Sequence, residues 1–195
     1  MATVEIRREA LFSVPVDKSE VLRYMRSPKD ERLMRLIDEC IGEVEGALSA
    51  SVCYEEYELS IDGGIVDLGF SRIESLDLSK NLAGCKRAIV FAATVGMGVD
   101  RLIKKYSLLS PSRSLCIGAI GNERVEALCD LFCAELENKY GKLRPRYSAG
   151  YGDLPLSMQR DIFAALSCTK NIGVSLGESL LMTPQKSVTA IVGIG

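Results

Sequence analysis

The segment Leu143-Arg144-Pro145-Arg146-Tyr147-Ser148-Ala149-Gly150-Tyr151-Gly152-Asp153-Leu154-Pro155 gathers unusual chemistry. Two arginines, two tyrosines, two glycines and an aspartate fall within ten positions. A guanidinium is a rigid fork that grips a carboxylate through two hydrogen bonds. Tyrosine adds a flat face for a heterocycle and a hydroxyl, and glycine lets the backbone approach a ligand closely. Together they suit a small molecule that joins a carboxylate to a purine, such as an amino-acid nucleoside, with Asp153 or another acid facing its positive groups. The same residue types also serve an ordinary tight turn. Only their order separates the two readings.

Such a loop needs rigid elements on either side, and the sequence supplies them. Ser110-Pro111 marks the start of a long helix whose stripe of Val125, Leu128, Cys129, Phe132 and Leu136 runs to Gly141. Another amphipathic helix follows over about 156–166. Upstream, Asp17 with Glu20 and Ser27-Pro28 with Asp30 read as two helix starts. The second leads into a stripe of Leu33, Leu36, Ile37, Cys40, Ile41, Val44 and Leu48, spaced by three and four. From Ser51 to Ile73 the pattern turns to aromatic and β-branched residues, with Asp62-Gly63-Gly64 as a hairpin turn. Ala88 to Thr94 is dense enough to be a strand buried on both faces. Gly96 and Gly98 then precede a short helix through Leu102, Ile103 and Tyr106, and the tail from Ile172 to Ile194 predicts two strands separated by a turn at Pro184-Gln185-Lys186. Helices and strands come in blocks, which predicts a single α+β domain over 1–195 with a mainly antiparallel, twisted sheet and flanking helices.

Composition excludes several functions. With 195 residues, 47% hydrophobic and 26% charged, the chain suits one globular domain burying roughly 70% of its extended surface. The formal net charge of −2 comes from 26 acids and 24 bases with no basic run, so no nucleic-acid partner is expected. No apolar stretch approaches the roughly 20 residues of a membrane span. Met1 to Ala10 lacks a signal-peptide core, so the expected location is cytoplasmic. The seven cysteines are expected to be reduced thiols. Cys129 and Cys133 lie four apart on a helix, where they either share a metal or fill an apolar face; the second suits free cysteine better. Histidine is absent, which removes Ser-His-Asp catalysis, histidine bases and histidine-bound zinc or haem.

The order of residues is more specific. Arg146-Tyr147-Ser148-Ala149-Gly150-Tyr151 resembles the Arg-Pro-Ala-Pro-Gly-Tyr segment with which the activation domain of cobalamin (vitamin B12)-dependent methionine synthase grips S-adenosylmethionine. Downstream, Leu176-Gly177-Glu178-Ser179-Leu180-Leu181-Met182-Thr183-Pro184 and Ser187-Val188-Thr189 resemble that domain's Leu-Thr-Glu-Ser-x-x-Met-x-Pro and Ser-Val-Ser. Asp153-Leu154-Pro155-Leu156-Ser157 opens a helix where the family has one. Weaker likeness reaches back over Asn122-Glu123-Arg124-Val125-Glu126-Ala127, so the resemblance covers about 118–194, while 1–100 carries no matching motif.

The resemblance implies a stand-alone activation domain that binds S-adenosylmethionine. Arg146 would contact its carboxylate, backbone groups of Ser148, Ala149 and Gly150 with the ring of Tyr151 would shape the pocket, and Glu178 would line it. Two departures stand out: Ala149 replaces a proline, and Ile191-Val192-Gly193 stands where the family has Trp-Tyr-Phe, removing an aromatic ligand contact. The implied role is reductive methylation of oxidised cobalamin during methionine synthesis. Without histidine the chain offers no histidine ligand to cobalt, so the cobalamin would be held by a partner: a corrinoid-binding protein or the methionine synthase core, served by an electron donor protein. The chain alone is not expected to make methionine. The alternative is a non-catalytic module that binds a corrinoid protein and has lost S-adenosylmethionine. Because no histidine completes a ligand set around Cys129 and Cys133, elemental analysis of the purified protein is expected to find no stoichiometric zinc or iron; metal lost on mutating both cysteines would reverse this reading.

Overall fold

The computed structural model describes residues 2–195. In chain order the elements are β1 (Thr3–Ile6), α1 (Arg8–Phe12), α2 (Lys18–Met25), α3 (Glu31–Ala47), β2 (Ser51–Glu58), β3 (Ser60–Asp62), β4 (Ile65–Asp67), β5 (Arg72–Glu74), α4 (Leu76–Asn81) and β6 (Arg87–Thr94). The second half holds α5 (Met97–Leu109), α6 (Pro111–Tyr140), α7 (Met158–Leu166), α8 (Cys168–Ile172), β7 (Ser175–Leu176), β8 (Met182–Thr183) and β9 (Ser187–Ile194).

Alternation along the strands decides the architecture. In β6, Ile89, Phe91 and Ala93 enter one core, while Ala88, Val90 and Ala92 enter another on the opposite face. The run is therefore buried on both sides, as its composition predicts. β9 repeats the pattern, sending Ala190, Val192 and Ile194 one way and Ile191 the other. The main sheet has the order β1-β2-β6-β9, antiparallel throughout, with Ala92 opposite Thr189 and Cys53. Helices α1 to α3, α5 and α6 contribute to the first core. The ribbon β3-β4-β5 with α4, α7 and α8 covers the second. This is the α+β arrangement expected, with two small sheets beside the main one.

Local chemistry sets the helix ends. Asp17 accepts from the Ser19 amide at 2.8 Å and Asp30 from the Leu33 amide at 2.8 Å, so Asp30 is the cap of α3 within the Ser27-Pro28-Asp30 cluster. The turn at Gly63 and Gly64 joins β3 to β4. Several details differ from the sequence reading: the stretch from Ser51 to Ile73 is divided between β2 of the main sheet and the ribbon β3-β4-β5, and the short helices α1, α4 and α8 were not expected. The tail contains three strands: β7 and β8 form their own ribbon around a turn closed by Gly177 and Leu181, and Pro184 to Lys186 separates that ribbon from β9. Strand β1 was not expected; four residues, one of them Glu5, followed by Arg7 and Arg8, give too short an alternation to detect.

Helix α6 is anchored at both faces. Phe132 packs its ring 5.0 Å from both Phe91 and Tyr54, fixing the helix on the sheet. On the other side Arg124, 1% exposed, forms a two-pronged bond to Glu123 at 2.5 and 2.6 Å and donates to the carbonyls of Val14 (2.8 Å) and Pro15 (3.2 Å). Glu123 in turn accepts the Asp17 amide at 3.1 Å. The pair clamps the segment before α2. Arg124→Met leaves the buried Glu123 charge uncompensated, and urea denaturation is expected to show a loss of about 3–5 kcal/mol. The double variant with Glu123→Gln should recover much of it. A single-variant loss below about 1 kcal/mol, the scale of an exposed pair, would overturn this account.

Candidate functional site

After α6 ends at Tyr140, the chain returns along the free edge of β9. The Arg144 amide donates to Gly193 at 3.0 Å, and Tyr147 and Ile191 exchange amide-carbonyl bonds of 2.9 and 2.8 Å. Gly193 allows this approach: a Cβ there would come within 2.7 Å of the Cys85 sulfur and 3.0 Å of the Arg144 Cγ. Because 144–147 runs as extended backbone, neighbouring side chains point to opposite faces. Tyr147 joins the second core, and Arg146 turns toward α6 on the first.

The Arg146 guanidinium lies across one stripe of α6. Its Nη2 donates to Glu126 at 3.0 Å and to Asp130 at 2.8 Å, acids one helical turn apart. Cys129 and Cys133 share that stripe, and burial pushes their thiols up to about 12 and about 11, so both are neutral at physiological pH. Burial works against the charge on Arg146, but the negative groups around it, Glu126 and Asp130 among them, outweigh it and raise its pKa. Both carboxylate bonds leave from Nη2. The Nη1 and Nε groups carry no carboxylate among the described residues; they point to opposite edges of the guanidinium, so a further carboxylate takes a single bond from one of them, or two by sharing Nη2. Glu126 and Asp130 also border a groove of about 570 Å³ along α6. Sequence reading gave these two acids no role, although their spacing of four on a helix puts them on one face.

The rest of the loop is a compact turn. Tyr151 donates its amide to Ser148 (3.2 Å), Gly150 to Leu154 (2.9 Å) and Leu154 to Tyr151 (3.0 Å). Ala149 and Leu154 are buried in the second core, whereas Gly150 is exposed and the Tyr151 side chain is 69% exposed. Gly152 adopts φ +52, and a Cβ there would meet the Tyr147 hydroxyl and an Asp77 oxygen at 2.5 Å. Asp153 is exposed, and its carboxylate is tied to the start of α4. Its carboxylate accepts from the Ser75 hydroxyl, from the Leu76 amide at 2.7 Å and from the Asp77 amide, capping α4. Glu178 sits on the exposed turn between β7 and β8 and makes no hydrogen bond or ion pair among the described residues. The loop thus carries Arg146 on the α6 side and Ala149 into the second core, with Ser148, Gly150 and Tyr151 in the turn beyond, and no bond joins Arg146 or Glu178 to that turn. Ile191 and Val192, at the place of the family's aromatics, are fully buried on opposite faces of the sheet.

Residues 131–194 match the family model described as the vitamin B12 dependent methionine synthase activation domain. The family resemblance holds. The match takes in the Arg146 loop and the Glu178 to Thr189 motif, and begins at Leu131 instead of Gly118. A crystal structure of the MetH reactivation domain bound to AdoHcy superposes with a TM-score of 0.72, covering 100% of this chain and 78% of that one at 13% identity. At that identity the likeness is one of fold, and it shows the activation-domain fold for residues the family model does not reach. No curated protein matches the chain. Among the described residues no helix is long and apolar enough to cross a membrane.

The Asp153 cap yields a test of loop anchorage. The Ser75 hydroxyl, then the Leu76 and Asp77 amides, hold its carboxyl below the ordinary aspartate value. Such a group contributes its full stabilisation above the unfolded pKa of about 3.9 and loses it as the pH falls through the lower folded value. Asp153→Asn is expected to speed hydrogen exchange of the α4 amides at neutral pH and to flatten the acid dependence of that exchange. Equal exchange in variant and wild type would remove the cap from the account.

Proposed function

We propose that the chain binds S-adenosylmethionine at the Arg146 loop and presents its methyl group to the reduced corrinoid of a separate protein, reactivating a cobalamin methyltransferase in trans during methionine synthesis. The observation that carries this reading is the half-occupied guanidinium of Arg146. Its two bonds to carboxylates both leave from Nη2, so Nη1 or Nε is left to donate to an amino-acid carboxylate, and the exposed Tyr151 ring follows five residues on in the same loop. Backbone groups of Ser148, Ala149 and Gly150 would border the ligand, and Glu178 would reach it from the β7–β8 turn. S-adenosylmethionine, when bound, supplies an activated methyl on a sulfonium. The chain's own task is positional: orientation lowers a transfer barrier without an acid or base. The lack of histidine is therefore no obstacle. The corrinoid and the electron donor come from partner proteins, and docking must be transient, since a permanent lid would block the partner's own substrates.

A second reading is favoured by one observation. Glu126 and Asp130 already neutralise Arg146, so a chain that had lost S-adenosylmethionine would keep this arrangement as a structural ion pair and serve only to dock a corrinoid protein.

S-adenosylmethionine at about 100 times its dissociation constant should stabilise the wild type by roughly 2.7 kcal/mol, read as a raised Tm. Arg146→Ala should abolish the effect. An unchanged wild-type Tm at saturating ligand puts the docking module ahead. For the trans step, a corrinoid protein in its oxidised state is mixed with reductant and S-adenosylmethionine, and the visible spectrum is followed. Methylation at the same rate with and without this chain, across the corrinoid proteins of the same cell, would sink the reactivation role.

A further inference from the structure

One charged side chain is largely withdrawn from solvent without a part in the reaction proposed above. Lys186, in the turn before β9, lays its stem across α6 at Gly121. A Cβ on Gly121 would come within 3.0 Å of the Lys186 Cγ and 3.3 Å of its Cε, so the glycine keeps that path open. The ammonium ends beside Asn122, donating to Oδ1 at 2.7 Å. Two further N–H groups remain. Among the described residues no carboxylate lies within ion-pair distance of it. Burial lowers its pKa, and Asp100 opposes that shift from behind the turn, where its Oδ2 accepts the Gln185 amide at 2.8 Å.

The ammonium borders a groove of about 430 Å³ between α5, the first half of α6 and the β8–β9 turn. Ile103, Pro111, Leu115 and Ala119 give it an apolar patch, and Ser107, Ser114, Asn122 and Gln185 add uncharged polar groups. None of the lining residues is an aspartate or glutamate, in a chain that holds 26 of them. The neighbouring groove along the same helix has the opposite character, with Asp17, Glu20, Glu123, Glu126 and Asp130 in its lining. Tyr24 borders both. A groove with an apolar patch, a partly buried cation at one end and no acid in its lining is complementary to one class of molecule.

We propose that this groove is a second ligand site, which takes a small organic carboxylate whose apolar body lies on Ile103, Leu115 and Ala119 and whose oxygens accept the two remaining N–H groups of Lys186. The size agrees with small-molecule sites of roughly 300–1,000 Å³. A bond from an ammonium to a carboxylate is stronger than one to a neutral carbonyl, and an amine in the same place is repelled. The inference does not depend on S-adenosylmethionine binding, because Arg146 rests against a different stretch of α6.

The test uses amide NMR of the full chain with octanoate, octanamide and octylamine as probes. Octanoate is expected to shift the amides of Gly118, Asn122 and Gln185 and to bind at least about ten-fold more tightly than octanamide. Octylamine should not bind there. Lys186→Met, which keeps an unbranched stem over Gly121, should erase the preference for acid over amide. Equal binding of octanoate and octanamide by the wild type, shifts confined to the Arg146 loop, retention of the preference in Lys186→Met, or no shift at millimolar octanoate would each overturn the proposal. The comparison of acid with amide needs no variant, so a misfolded Lys186→Met leaves the test intact.

Discussion

Helix α6 is the constraint on which the rest of the structure depends. Its 30 residues span about 45 Å, longer than most helices in a domain of this size. Along that length it holds the N-terminal segment through Glu123 and Arg124, receives Arg146 on Glu126 and Asp130, and gives Lys186 a path over Gly121. A rigid rod fixes these three contacts relative to one another. Its own position is set by Phe132, wedged between Phe91 and Tyr54 on the sheet. Any change that lets α6 slide on the sheet displaces the clamp, the arginine and the lysine together.

The arginine is the least settled of the three energetically. Its acids are substantially exposed, so each pair contributes on the order of 1 kcal/mol or less. That is small beside a desolvated bond from a guanidinium to a ligand carboxylate. The pairs orient the fork without locking it. The Arg124 clamp differs because both partners are buried, and loss of either leaves a charge that water cannot reach. The same helix thus carries one pairing that fixes structure and one weak enough to be shared with a ligand.

What the sequence discloses follows from period and length. The stripes of α3 and α6 and the doubly buried β6 repeat over enough residues for their side-chain pattern to be unambiguous, and the structure places them as expected. Four-residue β1, six-residue α4 and two-residue β7 carry too little pattern. The Arg146 loop was legible as a concentration of rare chemistry, yet its electrostatic partners were not, because Glu126 and Asp130 sit 20 and 16 residues upstream. The capping role of Asp153 was not legible for a related reason. Its partners Ser75, Leu76 and Asp77 belong to an element whose existence the sequence does not announce.

Where the loop crosses the edge of the sheet explains how a fold can persist while details of its site change. Arg146 lies on the side of the first core, against α6, whereas Ala149 and Leu154 are inserted into the second. The β9 edge separates them, with Gly193 and Ile191 holding the backbone between. Replacing a proline by Ala149 alters backbone freedom and packing in the second core, and does not touch the carboxylates that orient Arg146. Sites that share no partner tend to contribute additively. The charge on Arg146 and the packing of the turn can therefore change independently of one another without disturbing the sheet that carries both.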